Sequence, residues 1–127
     1  MKLLLDTHTF LWFIDDNPKL SEPALALLEG DHELLLSIVS LWEIAIKFRI
    51  GKLALPEPYI TFISKQLTQN IIEVLPIRLD HLDVVSTLPF HHRDPFDRLL
   101  VAQALIEKIP VISIDDPLDR YLIERLW

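Results

Sequence analysis

The stretch LLLDTHTFLW (residues 3–12) opens with an apolar run that stops at an acid, and apolar residues at helical spacing take over from Phe10. With Lys2 ahead of it, the run Lys2–Leu5 has strand length. It ends well short of the roughly 7–15 apolar residues of a secretory h-region, and no apolar segment reaches the roughly 20 residues needed to span a bilayer. The expectation is a soluble, unprocessed chain. Further runs of strand length occur at Leu34–Ser37, Ile72–Leu75 and Val111–Ile114. Helical spacing fills the gaps at Phe10–Ile14, Glu22–Glu29, Leu41–Ile50, Tyr59–Gln69, Leu79–Thr87 and Pro95–Glu107, with a last helix after Asp116. Strands alternating with helices predict a parallel sheet joined by crossover helices, hence a layered α/β fold.

The helix ends carry their own signals. Pro95 follows Asp94 as a first-turn proline follows an N-cap, Gly30 and Gly51 stand where a left-handed C-terminal residue belongs, and Pro110 stops the sixth helix. With only two glycines, no low-complexity tract and no repeat, the sequence predicts one domain over residues 1–127. A chain of this length buries roughly two-thirds of its unfolded surface, enough for a real core.

Half of the residues are hydrophobic and the mean hydropathy is +0.30. That is apolar for a small domain that must keep much of its surface in water, so part of the excess is expected in a subunit or partner interface. The chain has no cysteine, which excludes disulfides, thiolate metal sites and a cysteine nucleophile, and makes a reducing cytoplasm the simplest home. Twelve Lys and Arg against 19 Asp and Glu leave a net charge of −7, which by itself argues against a polyanionic ligand. The objection weakens if several carboxylates hold dications, which supply positive charge where a phosphate would sit.

In doubly wound sheets the site forms at the carboxyl ends of the strands, and acids recur there. Asp6 closes the first strand and Asp115 the fourth, Glu43 falls in the first turn of the helix after the second strand, and Asp97 in the first turn of the helix before the fourth. Gathered in one pocket they need neutralising, because two unit charges about 4 Å apart repel by about 4 kcal/mol at an effective dielectric near 20. Hard oxygen ligands select Mg²⁺ or Mn²⁺. Such a site suits phosphodiester hydrolysis by water in line with the scissile phosphate.

Plainer roles compete for each acid. Ser40 and Glu43 in S-L-W-E have capping-box spacing. Asp94 in D-P-F-D reads as an N-cap, and Asp97 then suits the positive helix end with or without metal. Thr7, Thr9 or a helix end can satisfy Asp6. Of Asp115 and Asp116, one caps the last helix while the other faces the pocket, and strand alternation does not choose between them.

Four segments in order, LLLDTHTFLW, SLWEIAIK, HHRDPFDRLLVAQAL and VISIDDPLDRY, give the chain a resemblance over nearly its whole length to the PIN-domain family, specifically the VapC-like toxin ribonucleases of bacterial toxin–antitoxin systems. The resemblance implies a three-layer α/β/α domain with a central parallel sheet of four or five strands in the order 3-2-1-4-5, the last of which the tail Leu122–Trp127 would have to supply. It also implies a site of Asp6, Glu43, Asp97 and Asp115, with Asp94 a weaker extra ligand, holding one or two Mg²⁺ or Mn²⁺ ions. Endonuclease action on RNA, a homodimer and an inhibitory antitoxin partner follow from the same likeness. PIN domains also include RNA-processing nucleases outside toxin systems, and an inactive PIN-like scaffold is a further alternative.

Thr7, Thr9 and Ser113 flank the proposed ligands, where turn and cap bonding is the default, with Thr7 kept as a substrate-binding candidate. Lys47, Arg49, Lys52, Arg93 and Arg98 surround the acidic helices, and Lys47, Arg93 and Arg98 are the cationic candidates for RNA phosphate. His8, His91 and His92 read as solvated turn residues rather than an acid–base pair. Trp12, Phe13, Trp42 and Phe48 read mainly as core, with some left for a homodimer seam or an antitoxin groove. An aspartyl phosphatase would need a second Asp in D-T-H, and a phosphate-receiving signalling domain a late lysine where VISIDD offers acids.

Overall fold

A computed structural model describes all residues from Met1 to Trp127. Five strands, β1 Lys2–Leu5, β2 Glu33–Ser37, β3 Ile72–Leu75, β4 Val111–Ile112 and β5 Arg125–Leu126, form one sheet in the order β3-β2-β1-β4-β5. Every pairing is parallel, with Leu4 opposite Leu35 on one side and Val111 on the other. The helices are α1 Thr7–Ile14, α2 Glu22–Glu29, α3 Ile38–Arg49, α4 Tyr59–Gln69, α5 Leu79–Thr87 and α6 Pro95–Glu107, followed by a 3-10 turn at Asp116–Arg120. The tail does supply a fifth strand, through the pairing of Val111 with Arg125 and Ile112 with Leu126.

The central strand explains why a continuous Leu run was needed. Leu3, Leu4 and Leu5 are all fully buried, because a parallel sheet covered on both faces leaves no side for water. Leu3 and Leu5 face a cluster with Phe10, Ala24, Leu36 and Ile44, while Leu4 faces Leu35, Leu75, Leu100 and Val111. Side-chain alternation along β1 therefore divides the core into two layers, one under α1–α4 and one under α6.

Two helices begin three residues earlier than their apolar periodicity predicts. Asp6 caps α1 by accepting from the Thr9 amide, and Ser37 caps α3 by accepting from the Val39 amide. Polar caps carry no hydrophobic signal, so the pattern registers only where the buried stripe begins. Gly30 is extended (φ −77, ψ −178) and not left-handed, whereas Gly51 (φ 80) is. At the end of α6 the left-handed residue is Lys108 (φ 56), just ahead of Pro110. No helix is long and apolar enough to cross a membrane.

Candidate active site

Parallel topology sends the C-terminal ends of β1 and β4 to the same edge, and two bonds fasten them there. The Asp6 amide donates to the Ile112 carbonyl (3.3 Å), and so does Thr9 Oγ1 (2.7 Å). Asp6 and the Asp115 turn are thereby held side by side. Helix α3 lies against both α1 and α6, which brings Glu43 and Asp97 to the same place.

The result is a pocket of about 450 Å³ lined by Asp6, Thr7, His8, Glu43, Lys47, Asp94, Asp97, Ile114, Asp115 and Asp116. Six carboxylates thus share one cavity with a single lysine. Asp94 and Asp97 both line it, as do Asp115 and Asp116, so neither pair reduces to one member. Asp94 caps α6 through the Phe96 amide (2.8 Å) and the Asp97 amide (3.4 Å) while still bordering the pocket. Neither acid of the second pair caps the 3-10 turn with its side chain.

Glu43 does not cap a helix. Because α3 starts at Ile38, Ser40 lies within it and Glu43 reaches its second turn. Oε1 of this buried carboxylate accepts from Thr7 Oγ1 (2.7 Å) and Oε2 pairs with Lys47 Nζ (2.6 Å). Thr7 Oγ1 also lies 3.0 Å from Ser40 Oγ. Its one proton goes to the stronger acceptor, the carboxylate, leaving the Ser40 hydroxyl to donate to Thr7. Thr7 is buried in the pocket wall, with its hydroxyl proton committed to Glu43.

Burial raises the Asp97 carboxyl from 3.8 to about 6, with the charges of Asp94, Asp115 and Glu43 adding to the shift and His92 opposing it. Crowded carboxylates resist ionising together, and an opposite charge relieves them. Candidate ligand atoms of His92, Asp97 and Asp115 lie within 4.8 Å of one another. Oxygen donors in excess, with one carboxyl held back from ionising, are a donor set that fits a hard divalent cation.

The remaining candidates divide. Lys47 lines the pocket. Arg93 is exposed and lies outside its lining. Arg98 is buried, and its guanidinium donates to the carbonyls of Leu88 and Pro89 (3.0 Å each) and of Val85 and His92 (3.4 Å each) while covering Phe90 at 4.1 Å. Four of its five N–H donors are thereby committed to backbone carbonyls in the interior. The Thr9 hydroxyl donates to the Ile112 carbonyl of β4, while Ser113 keeps to turn bonding, its Oγ accepting from the Asp115 amide (3.0 Å).

His92 is the residue that sequence reasoning missed. Far from solvated, its side chain is only 10% exposed, and Nε2 sits 3.0 Å from Asp115 Oδ2. The one signal available was its place two residues before the acids of D-P-F-D. His91 and His8 do remain exposed.

Beside the acidic pocket runs a groove of about 810 Å³, lined by Leu11, Trp12, Ile14, Leu53 and Phe62 among others, and sharing His8 and Lys47 with the pocket. Trp12 stands half-buried in its wall, between His8 (5.7 Å between centroids) and Trp127 (6.0 Å). Along α3 and its cap, Ile38, Trp42, Ile46 and Ile50 are all exposed at four-residue spacing, with Trp42 edge-on to Phe96.

No curated protein matches the chain. Among solved structures it is similar to VapBC2 from Rickettsia felis, crystallised bound to a promoter DNA fragment, at TM-score 0.74 and 16% identity over 99% of this chain and 98% of that one. It is similar to FitAcB from Neisseria gonorrhoeae at TM-score 0.68 and 17% identity, covering 98% of this chain and 96% of that one. VapBC-1 from nontypeable Haemophilus influenzae also gives TM-score 0.68 and 17% identity, over 99% and 97% of the two chains. At such identities the likeness is one of fold, in keeping with the sheet order found here. The sequence match is of a different kind, since the profile of the PIN domain covers residues 3–122. With nearly the whole chain matched, and the sheet order and strand-end acids in place, this protein belongs to the PIN domain family.

Proposed function

We propose that this chain is a divalent-metal-dependent endoribonuclease, acting as one nuclease domain over residues 1–127 and serving as the toxin of a toxin–antitoxin pair in a reducing cytoplasm. One observation carries the enzymatic part: six carboxylates line one small pocket, and one of them, Asp97, is pushed up to about 6. A purely structural cluster gains nothing from that repulsion. A site that takes up cations does.

Asp6, Glu43, Asp97 and Asp115 are the proposed ligands, with Asp94 at the rim. One or two Mg²⁺ or Mn²⁺ ions held there supply Lewis-acid stabilisation of the charge that develops on the phosphate oxygens. The chain's own work is positioning. Asp6 is fixed by the Thr9 amide, Glu43 by Thr7 and Lys47, and Asp115 by His92. Carboxylate oxygens so held can orient a water in line with the scissile phosphate, and no side chain need form a covalent intermediate. Lys47 is the cation on the pocket wall, and Arg93 the exposed one on the loop ahead of α6, available to an approaching RNA backbone.

The toxin reading draws on the solved relatives, which include a structure described as a toxin–antitoxin complex from Klebsiella pneumoniae. On this chain the apolar groove beside the pocket suits a segment of an antitoxin, because a peptide seated on Trp12 and Phe62 would reach the acids past His8 and Lys47. The stripe of Ile38, Trp42, Ile46 and Ile50 suits a homodimer seam. The deciding assay is labelled RNA incubated with purified, partner-free protein, with Mg²⁺, with Mn²⁺ and with chelator. Metal-dependent internal cleavage is expected, and intact RNA under all three conditions would overturn the nuclease reading.

A further inference from the structure

His92 precedes the acidic helix in a loop that is pinned from several sides. Its amide donates to the Tyr121 hydroxyl (3.0 Å), its carbonyl accepts from Arg98 (3.4 Å), and its ring stacks on Tyr121 at 5.5 Å and 28°. Tyr121 is fastened in turn, its hydroxyl donating to the Pro89 carbonyl (3.3 Å). A histidine held this firmly has its ring orientation set by the fold. That ring aims Nε2 at Asp115 Oδ2 and turns Nδ1 into the protein, where Nδ1 is buried without a hydrogen-bond partner.

We infer that His92 is a positioning residue for the metal site, donating Nε2–H to Asp115 and orienting that carboxylate, and is not itself a ligand. The alternative is direct ligation, since Nε2 shares a 4.8 Å neighbourhood with oxygens of Asp97 and Asp115. Proton placement decides between them. A ligating Nε2 must present a bare lone pair, which moves the ring proton to Nδ1. There it would be an orphaned N–H in the interior, a rarer and costlier condition than an unused acceptor. A bare Nε2 would also face the Asp115 oxygen at 3.0 Å, lone pair to lone pair. With the proton on Nε2, both conflicts vanish.

The role differs from that of the carboxylates. Hydrogen bonds from outside the ligand shell hold ligand oxygens in one orientation, and their loss typically weakens metal affinity by about 10–100-fold. Asp115 sits at the start of the 3-10 turn with its side chain part exposed, and His92 Nε2 is the one side-chain donor the structure gives it. Arg98 belongs to the same arrangement, because it gathers the carbonyls of the loop that presents His92.

The inference rests on the metal-dependent reading, and its test is read on metal binding rather than on cleavage. Mn²⁺ titrated into the whole protein is followed by electron paramagnetic resonance for the wild type, His92→Gln and His92→Ala. Glutamine places an amide N–H near the position of Nε2, so binding is expected to weaken by about 10–100-fold in His92→Ala and to recover most of that loss in His92→Gln. Equal losses in the two variants, or unchanged binding in His92→Ala, would overturn the role. Should His92→Ala not fold, pulsed resonance on the wild type with Mn²⁺ still decides. No directly bound nitrogen is expected, and strong ¹⁴N coupling from a coordinated imidazole would make His92 a ligand. A wild type that binds no Mn²⁺ overturns this inference and the metal-dependent reading together. Normal Mn²⁺ binding with the expected histidine effects but inert RNA overturns the nuclease reading alone.

Discussion

Thr7 Oγ1 donates a 2.7 Å hydrogen bond to Glu43 Oε1 across 36 positions of the chain, tying the first turn of α1 to the second turn of α3 inside the acidic pocket. Lys47 holds the other oxygen of the same carboxylate. Glu43 is thus aimed from both sides, by a neutral donor within and by a cation at the rim.

Replacing Thr7 with valine keeps the shape and removes the donor. Glu43 then keeps only Lys47, and RNA cleavage is expected to fall by about 10–100-fold at a stability cost of about 1 kcal/mol. Thr7→Ser restores the donor and most of the rate. Single-turnover cleavage at saturating Mg²⁺, alongside thermal melting, checks both. Full activity in Thr7→Val would show that Glu43 needs no such hold.

Asp6→Asn separates the two duties of Asp6. Asparagine caps helices about as well as aspartate, so the bond to the Thr9 amide and the fold should survive, with stability within about 1 kcal/mol of the wild type. Cleavage should be lost. Wild-type turnover by a folded Asp6→Asn at ordinary Mg²⁺ would remove Asp6 from the ligand set.

Asp97 makes the metal-free protein pH-sensitive. In the unfolded chain its carboxyl ionises at 3.8, in the fold at about 6. Its contribution to stability is complete below 3.8 and is lost as pH rises through about 6, because above that the fold carries a charge it disfavours. The full shift corresponds to about 3 kcal/mol, which partial exposure reduces to about 1–2 kcal/mol. In chelator, Asp97→Asn should therefore melt higher than the wild type at pH 7.5, with the difference closing toward pH 4. Added Mg²⁺ should raise the wild-type melting temperature at pH 7.5 and not that of the variant. Coincident melting curves at both pH values would contradict the crowding of carboxylates on which the site depends.

Arg98 serves the fold. Arg98→Ala removes four hydrogen bonds to carbonyls at the end of α5 and in the loop before α6, and a loss of about 2–4 kcal/mol is expected in urea unfolding. A stable Arg98→Ala with weakened RNA affinity would instead return Arg98 to the substrate side. Arg93→Ala should behave oppositely, sparing stability and reducing the salt dependence of RNA binding.

The exposed stripe on α3 has its own test. Trp42→Glu places a charge at its centre, where Trp42 is 57% exposed, so the monomer should tolerate the change while a dimer built on that face should not. Sedimentation velocity is expected to show a dimer for the wild type and a monomer for the variant. An unaltered dimer would put the seam elsewhere.

Much of this was legible in the sequence because parallel strands covered on both faces must be apolar throughout. Leu3, Leu4 and Leu5 in β1 and Leu34, Leu35 and Leu36 in β2 stand out as runs for that reason, and α2, α4, α5 and α6 have the bounds that their periodicity predicts. The starts of α1 and α3 were misjudged because Asp6 and Ser37 stop and start elements through polar bonds that leave no mark on hydropathy. The fifth strand is two residues long, Arg125–Leu126, and exists only through its pairing with β4. Among the site residues, acids at strand ends were visible as such, whereas Arg98 and His92 exchanged the roles their chemistry suggested: the cation went into the interior and the histidine came to the acids.

Order along the chain therefore determined the layers, the strand ends and the acids that stand at them, since these follow from patterns among neighbouring residues. Tertiary structure alone decided which distant groups meet at the site, whereas the cap donors of Asp6 and Asp94 lie within three residues of them. The bonds between distant groups run from Thr9 to Ile112 over 103 positions, from Thr7 to Glu43 over 36 and from His92 to Asp115 over 23. A hydrogen bond forms within about 3 Å and along a narrow direction. Local periodicity holds no information about which distant groups the closed sheet will bring within that reach.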